Sequence, residues 1–397
     1  MSADIDEIFR RAKEGKPLFV NRSVLNPDYV PEKLPFRDAQ IKAVAQVLAP
    51  TLHSSRPSNL LLYGKTGTGK TAVARFVLSR LKAEANTPNL VVAYVNTRLA
   101  NTEYRTLAEF ARFLDLPIEK QIPFTGLSIG EVVARTFESI KAGKKQVVLV
   151  LDEIDYLVKE FGDSVLYEFT RSGERLAPGF LALVGISNDL RFKEALEPRV
   201  LSSLSEEELV FPPYTVEELR AILKERATSA FRKGAASEAA INLVAAIAGS
   251  EHGDARRAVD LLRIAGEVAE RGGLPQIDDS CVRKASEKME HDRVEEAIRS
   301  LPVQNKAILL ATSRFDSGTN TGELYIAYDK LCKKLGIEAL TQRRLSGILA
   351  ELDLLGLVEA SVVSSGRRGR TKRIRLLVED GGLAKTLSED PAFAGLV

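Results

Sequence analysis

The sequence predicts an α/β chain in three parts: a parallel β-sheet covered by helices on both faces, a small all-helical domain, and a C-terminal α+β domain made of helices and a β-hairpin. Three observations predict it. Short apolar runs (NLLLY, LVVAYVN, QVVLVLDE, FLALVGISN) alternate with helix-period segments through the first half. After FPPYT the alternation stops, and residues 215–233, 237–249, 253–271 and 278–300 all carry helical patterns separated by Asp, Gly or Pro. The chain then ends in TQRRLSGILAELDLLG followed by strand-like VEASVV and RIRLLV, which flank the basic stretch SSGRRGRTK.

A length of 397 residues exceeds one ordinary core and suggests several domains. Hydrophobic content of 45% and charged content of 28% are those of a soluble globular protein. A net charge of +2 excludes a uniformly basic coat, so any nucleic-acid surface must be local. Cys281 and Cys332 form no CxxC pair, which argues against a disulfide framework or zinc site. His53, His252 and His291 are too scattered for a metal cluster. No apolar run reaches membrane-spanning length and the charged N-terminus lacks a secretory apolar core. A cytoplasmic protein without a membrane partner is expected.

Residues 1–35 hold a helical spacing of Ile5, Ile8, Phe9 and Ala12, then Pro17, Pro27, Pro31 and Pro35, which reads as an arm leading into a domain. The nucleotide-binding core is expected over 36–213, beginning with a helix at Ala39–Leu48. Its first strand ends in GKTGTGKT, the phosphate-loop pattern G-x-x-x-x-G-K-[ST]. Gly64, Gly67 and Gly69, with Thr66 and Thr68 between them, let the backbone turn its N–H groups toward phosphates. The helix that follows points its positive end at the same anion. Lys70 would reach the β- and γ-phosphates of ATP or ADP, and Thr71 would ligate Mg²⁺.

QVVLVLDEID brings Asp152 and Glu153 to the carboxyl end of a buried strand, where ligands bind in such sheets. Asp152 would hold Mg²⁺ and Glu153 would polarise the attacking water, while Asp155 is expected to cap the next helix. The following strand ends in VGISN, so Asn188 stands beside the γ-phosphate, where it could orient that water. Between the second and third strands the chain is longer than one crossover needs, with room for two helices near 100–140 separated by QIPFTGLSIG. The loop residues Pro123, Phe124, Thr125, Gly126 and Leu127 suit either a projecting tip or an extra packing element.

The helical domain is expected over 214–300 and the last domain over 301–397. In the last, Leu345, Ile348, Leu349, Leu352 and Leu355 form a core stripe. Thr341 suits an N-cap, and Gln342, Arg343 and Arg344 open the helix toward the outside. A helix followed by a hairpin with a basic tip is the outline of a winged helix, with the helix start in the major groove. Arg367, Arg368, Gly369, Arg370, Lys372 and Arg373 would place the wing on phosphates or in the minor groove.

The phosphate loop, LDEID, VGISN and the helical domain together resemble the AAA+ ATPase superfamily. That resemblance makes Arg256 in GDARRAVDLL a sensor reaching the nucleotide from the lid, and makes Arg37 (PFRDAQ) and Tyr214 (FPPYT) flank the adenine. The superfamily's Ser-Arg pair, whose Arg reaches a neighbour's ATP, is replaced in LEPRVLSSLSE by Ser203, which leaves Arg199 as the substitute and implies slow hydrolysis. Over nearly the full length the chain resembles the archaeal replication-initiator family related to the eukaryotic origin-recognition and cell-division-control proteins. IPFTGLSIGEV, PRVLSSLSEEE, EHGDARRA and KKLGIEALTQRR carry that resemblance. It implies an ATPase that binds double-stranded origin DNA through the winged helix and the core insertion, deforms it, and recruits the MCM replicative helicase. It also implies other initiator copies on the DNA and a nucleoid-associated location. An ATP-switched winged-helix transcription regulator and a clamp-loader-like ATPase share these parts.

Overall fold

Strands form where the apolar runs fall: β1 (Leu60–Tyr63), β2 (Leu90–Asn96), β3 (Gln146–Asp152) and β4 (Phe180–Ser187). β5 (Glu207–Val210) completes a parallel sheet of order β2-β3-β4-β1-β5. In this computed structural model the described residues are 17–26, 29, 31–85, 88–123, 125–204, 206–315, 317–364, 370–378 and 380–396. The predicted N-terminal helical spacing therefore lies outside them. β3 and β4 are buried at every position, as internal parallel strands must be. β5 is an edge strand, largely exposed, and its EELV sequence lacks the apolar run that betrays the others.

The pleat of β3 divides its side chains between two cores. Val147, Leu149 and Leu151 join the side that holds Leu107, Phe110, Val133 and Phe137. Val148 and Val150 join the opposite side with Val44, Leu48, Val73 and Val77. The second side comes from helices Asp38–Leu48 and Lys70–Glu84. Parallel pairing sets Asn96 opposite Asp152 and Asp152 opposite Ile186, which gathers the strands' carboxyl ends along one rim.

Two helices, Glu103–Arg112 and Ile129–Ala142, occupy the long β2–β3 crossover. Thr102 and Ser128 cap them by accepting from the N–H groups of Arg105 and Glu131. Of the loop between them, Pro123, Thr125 and Gly126 are exposed, whereas Ile122 and Leu127 pack on the core. The segment thus anchors through Ile122 and Leu127 and presents Pro123, Thr125 and Gly126 to solvent. Phe124 lies outside the described residues.

Helices Val216–Ala230, Glu238–Ser250 and Ala255–Arg271 form the lid, each opened by a side-chain cap from Thr215, Ser237 or Asp254. The arm is stitched to it. Val20 and Asn21 donate their N–H groups to the carbonyl of Ala230 at 2.8 and 3.0 Å, and Arg232 N–H donates to Leu18 O at 3.0 Å. Phe19 packs its ring 4.7 Å from that of Phe231. A methyl group at Gly266 would come within 2.7 Å of the Phe19 ring, so glycine makes room for it.

Residues up to Val282 form one compact unit and Arg283–Val397 another. In the second, helices Val303–Thr312, Thr321–Leu335 and Gln342–Leu354 pack with an antiparallel sheet of order β6-β8-β7. β7 is Val358–Ser364, β8 is Arg370–Leu376, and their register pairs Ser364 with Arg370. β6 (Thr319–Asn320) is too short to leave a sequence pattern. Leu345, Ile348, Leu349 and Leu352 are buried as expected, but Leu355 is 53% exposed. The helix ends one residue earlier, and Leu355 is its C-cap.

Replacing Phe231 by Ala should cost about 3–5 kcal/mol in urea unfolding, because it empties a buried aromatic site. Limited proteolysis of the same variant should show cleavage at residues 18–24, which the wild type protects.

Candidate nucleotide site and nucleic-acid interface

β1 runs directly into the Gly64–Gly69 loop and the Lys70–Glu84 helix. Gly67 (φ +72°) and Gly69 (φ +93°) have left-handed backbone, which only glycine adopts without strain. Gly67 has a second reason. A methyl group there would stand 1.7 Å from Asp254 Oδ1, and its carbonyl accepts from Ala255 N–H at 3.2 Å. The start of the lid's Ala255–Arg271 helix therefore lies on the loop itself.

Lys70 is 5% exposed, and its ammonium donates to the carbonyls of Gly64 and Lys65 at 2.7 and 2.8 Å. Burial pushes it down to about 8, with Asp152, Asp155 and Asp254 pulling the other way. Thr71 donates to Asp152 Oδ2 at 2.9 Å, Tyr94 donates to the same oxygen, and Glu153 N–H donates to Oδ1 at 2.9 Å. Burial first, then the Asp152 charge, raises the Tyr94 phenol, so it remains a donor. A hydroxyl and a carboxylate side by side at the loop are hard oxygen donors of the kind Mg²⁺ takes alongside phosphates and water. Thr71 and Asp152 fit that ion.

Glu153 sits in left-handed backbone (φ +55°) at the cap of helix Ile154–Phe161. Its carboxylate accepts from Asn96 Nδ2 at 3.2 Å and lies 3.5 Å from the Arg98 guanidinium. Asp155 is in the helix's first turn, not at its cap, and accepts from the Asn188 N–H at 3.3 Å.

These groups surround a cavity of about 430 Å³. Thr66, Gly67, Gly69, Lys70 and Thr71 line it from the loop, and Asp152, Glu153 and Asn188 from the strand ends. Tyr214 and Arg256 line it from the lid side. Arg37, Gly64 and Thr68 do not. Arg37 is 2% exposed and donates to the carbonyls of Thr68 (2.9 Å), Phe36 (3.0 Å) and Pro212 (2.7 Å), with its guanidinium 3.7 Å over the Tyr214 ring. It braces the loop from behind. Arg199 is exposed on helix Pro198–Leu204, outside the cavity lining, and its carbonyl accepts from the Ser202 and Ser203 hydroxyls. Sequence patterns do not single out Tyr94, Arg75 (4.4 Å over the Tyr94 ring), Asn96 or Arg98. Nor do they point to the arm's Tyr29, which lines the cavity with the Arg226 guanidinium 4.8 Å above its ring. Period-2 alternation in LVVAYVN does put Tyr94 and Asn96 on one face, but only strand order reveals Asp152 beside them.

In the second unit Thr341 caps its helix, accepting from Arg344 N–H at 3.4 Å, and Thr341, Gln342, Arg343 and Arg344 are all exposed. On β8, Arg373 is exposed and donates to Ser317 O at 3.0 Å, Lys372 is half-buried, and Arg370 opens the strand. Arg367, Arg368 and Gly369 lie outside the described residues.

A phosphate loop at the rim of a parallel sheet, a helical lid resting on it and a C-terminal winged helix define an AAA+ ATPase joined to a winged-helix domain. Residues 53–191 match the family model described as AAA domain, 220–287 that of the Cdc6 AAA+ ATPase-type lid domain, and 296–384 that of the CDC6, C terminal winged helix domain. The chain is 46% identical to the ORC1-type DNA replication protein 1 of Sulfurisphaera tokodaii, covering 100% of this chain and 99% of that one. It is also 46% identical to the ORC1-type DNA replication protein of Pyrococcus furiosus, covering 99% and 95%. Among solved structures, the Aeropyrum pernix ORC1 protein in complex with DNA superposes with a TM-score of 0.83 at 46% identity over 96% of this chain and 99% of that chain. Cdc6p from Pyrobaculum aerophilum superposes with a TM-score of 0.61 at 26% identity over 94% of this chain and 99% of that chain. The chain belongs to the family of ORC1-type DNA replication proteins.

Arg37→Ala should lower stability by about 2–4 kcal/mol, leaving the Thr68 and Pro212 carbonyls without their donor, and should weaken ATP binding although Arg37 is not in the cavity. Calorimetric titration with ATP and denaturant unfolding of the same variant check both effects. Lys70 adds a pH dependence. Its folded value lies below that of the free amine, so between about pH 8 and 10.5 the unfolded chain holds the proton more tightly. Nucleotide-free wild type should therefore gain stability relative to Lys70→Met as pH rises through that window, while ATP affinity falls.

Proposed function

We propose that this protein is an ATP-dependent replication initiator that grips double-stranded origin DNA through its winged helix and the loop at Pro123–Leu127. It deforms that DNA and helps load the replicative MCM helicase, working with other copies of itself on the DNA. Slow ATP hydrolysis is the switch. The observation that carries the reading is the exposed, capped helix start Thr341–Arg344, with two arginines free to face a ligand while the rest of that helix buries its stripe. The resemblance to a relative solved with DNA supports it.

For the nucleotide, the loop N–H groups and the lid's Arg256 would hold the phosphates, and Lys70 would exchange its loop carbonyls for phosphate oxygens. Mg²⁺, when bound at Thr71 and Asp152, neutralises charge on the β- and γ-phosphates. Glu153 would accept the proton of the attacking water, and Asn188 would orient that water. The Glu153 role would require its carboxylate to give up contacts with Asn96 and Arg98, which supports a slow basal rate. Ser203 in place of a second arginine supports it further, because helix Pro198–Leu204 offers a neighbour only Arg199.

Two base-capable or phosphate-binding arginines at a helix start contribute strongly salt-dependent affinity. Arg343→Ala with Arg344→Ala should reduce the slope of log affinity against log salt by about two, roughly 0.9 for each phosphate that is no longer neutralised. An unchanged slope in a fluorescence-anisotropy salt series would remove this helix from the interface. Glu153→Gln should keep ATP binding and lower single-turnover hydrolysis by about 10²-fold or more.

A further inference from the structure

The GIEAL segment before Thr341 has no helix or sheet to satisfy its backbone, yet it launches the arginine-bearing helix. Gly336 (φ +67°) ends the preceding helix, and Ile337 N–H returns to Cys332 O at 3.1 Å. The next backbone groups are taken by side chains from elsewhere. Leu340 N–H donates to the Tyr328 hydroxyl at 3.1 Å, and Gln304 Nε2 donates to Glu338 O at 3.0 Å. The Tyr328 hydroxyl in turn donates to Gln304 Oε1, which closes the relay. Tyr328 is fully buried, and burial pushes its phenol up to about 12, so it stays a neutral donor and acceptor.

The consequence reaches the arginines because Arg343 follows closely on Leu340 in the chain. Hydrogen bonds to base edges demand distances and angles within narrow limits, whereas phosphate contacts tolerate displacement. Holding the backbone on both sides of Ala339 therefore matters most for base reading. We propose that Tyr328 and Gln304 are positioning residues for sequence recognition, their relay fixing the angle at which Arg343 and Arg344 meet a duplex. This rests on the reading above that this helix start contacts DNA.

The probe is a duplex enriched by the wild-type full-length chain from a randomised library, compared with its scrambled counterpart. Tyr328→Phe removes one oxygen and nearly preserves volume. It should lower affinity for the enriched duplex by about tenfold, the scale of one well-placed hydrogen bond, and leave scrambled-duplex affinity and its salt slope unchanged. Gln304→Leu, at a half-buried position, should do the same and serves if Tyr328→Phe folds poorly. The double variant should lose at least as much as either alone, since each single variant leaves the other backbone anchor in place. An unchanged enriched-to-scrambled ratio, or a parallel fall in both affinities, would overturn the proposal in favour of a merely structural role. A wild type that enriches nothing would overturn the DNA reading itself, which is visible before any variant is made.

Discussion

The close approach of the lid to the Gly67 backbone is the constraint on which the rest of the nucleotide site depends. With Asp254 where a side chain at Gly67 would be, and Ala255 bonded to the loop carbonyl, the loop is closed from the lid side. From the other side Arg37 holds the Thr68 carbonyl and, through Pro212, the linker that leads from β5 into the lid. The loop is thus gripped between a buried guanidinium and a helix start. Both the lid and the linker before it are in direct contact with, or one side chain removed from, the loop.

Electrostatics within the cavity follow the same pattern of holding each group from more than one side. Lys70 rests on loop carbonyls, a neutral substitute for the anion that would otherwise offset its burial. Asp152 is fixed by three donors from three different elements: the loop helix, β2 and its own chain's next residue. The Glu153 side chain is restrained separately, by Asn96 at the carboxyl end of β2 and by Arg98 just beyond it. The Asp152 and Glu153 carboxylates are therefore held by different side chains.

In the second unit the charge is local, as a net of +2 over 397 residues requires. Exposed arginines concentrate at the Gln342 helix start and along β8. The backbone that presents the first group is satisfied by Tyr328 and Gln304 rather than by secondary structure. Affinity and selectivity can then have separate physical origins, one in the number of cations and the other in how firmly two of them are aimed.

Much was legible in the sequence because it is written in local patterns. The four apolar strands, the glycine loop, the lid helices and the Thr341 cap each follow from periodicity, backbone freedom or side-chain capping within a few residues. The β5 edge escaped because its exposed face needs no apolar run, and β6 because two residues make no pattern. Arg37 was legible as important, yet whether it faces the cavity or braces the loop depends on burial that no local pattern encodes. Tyr94, Asn96 and Arg98 meet the acidic pair only because β2 lies beside β3, and Tyr29 reaches the cavity only because the arm is stitched to the lid. Sequence alone determined which groups could do chemistry with a nucleotide and which could face a duplex. Tertiary structure decided which of them share a site, since contacts between residues distant in the chain are set by packing and strand order rather than by their neighbours.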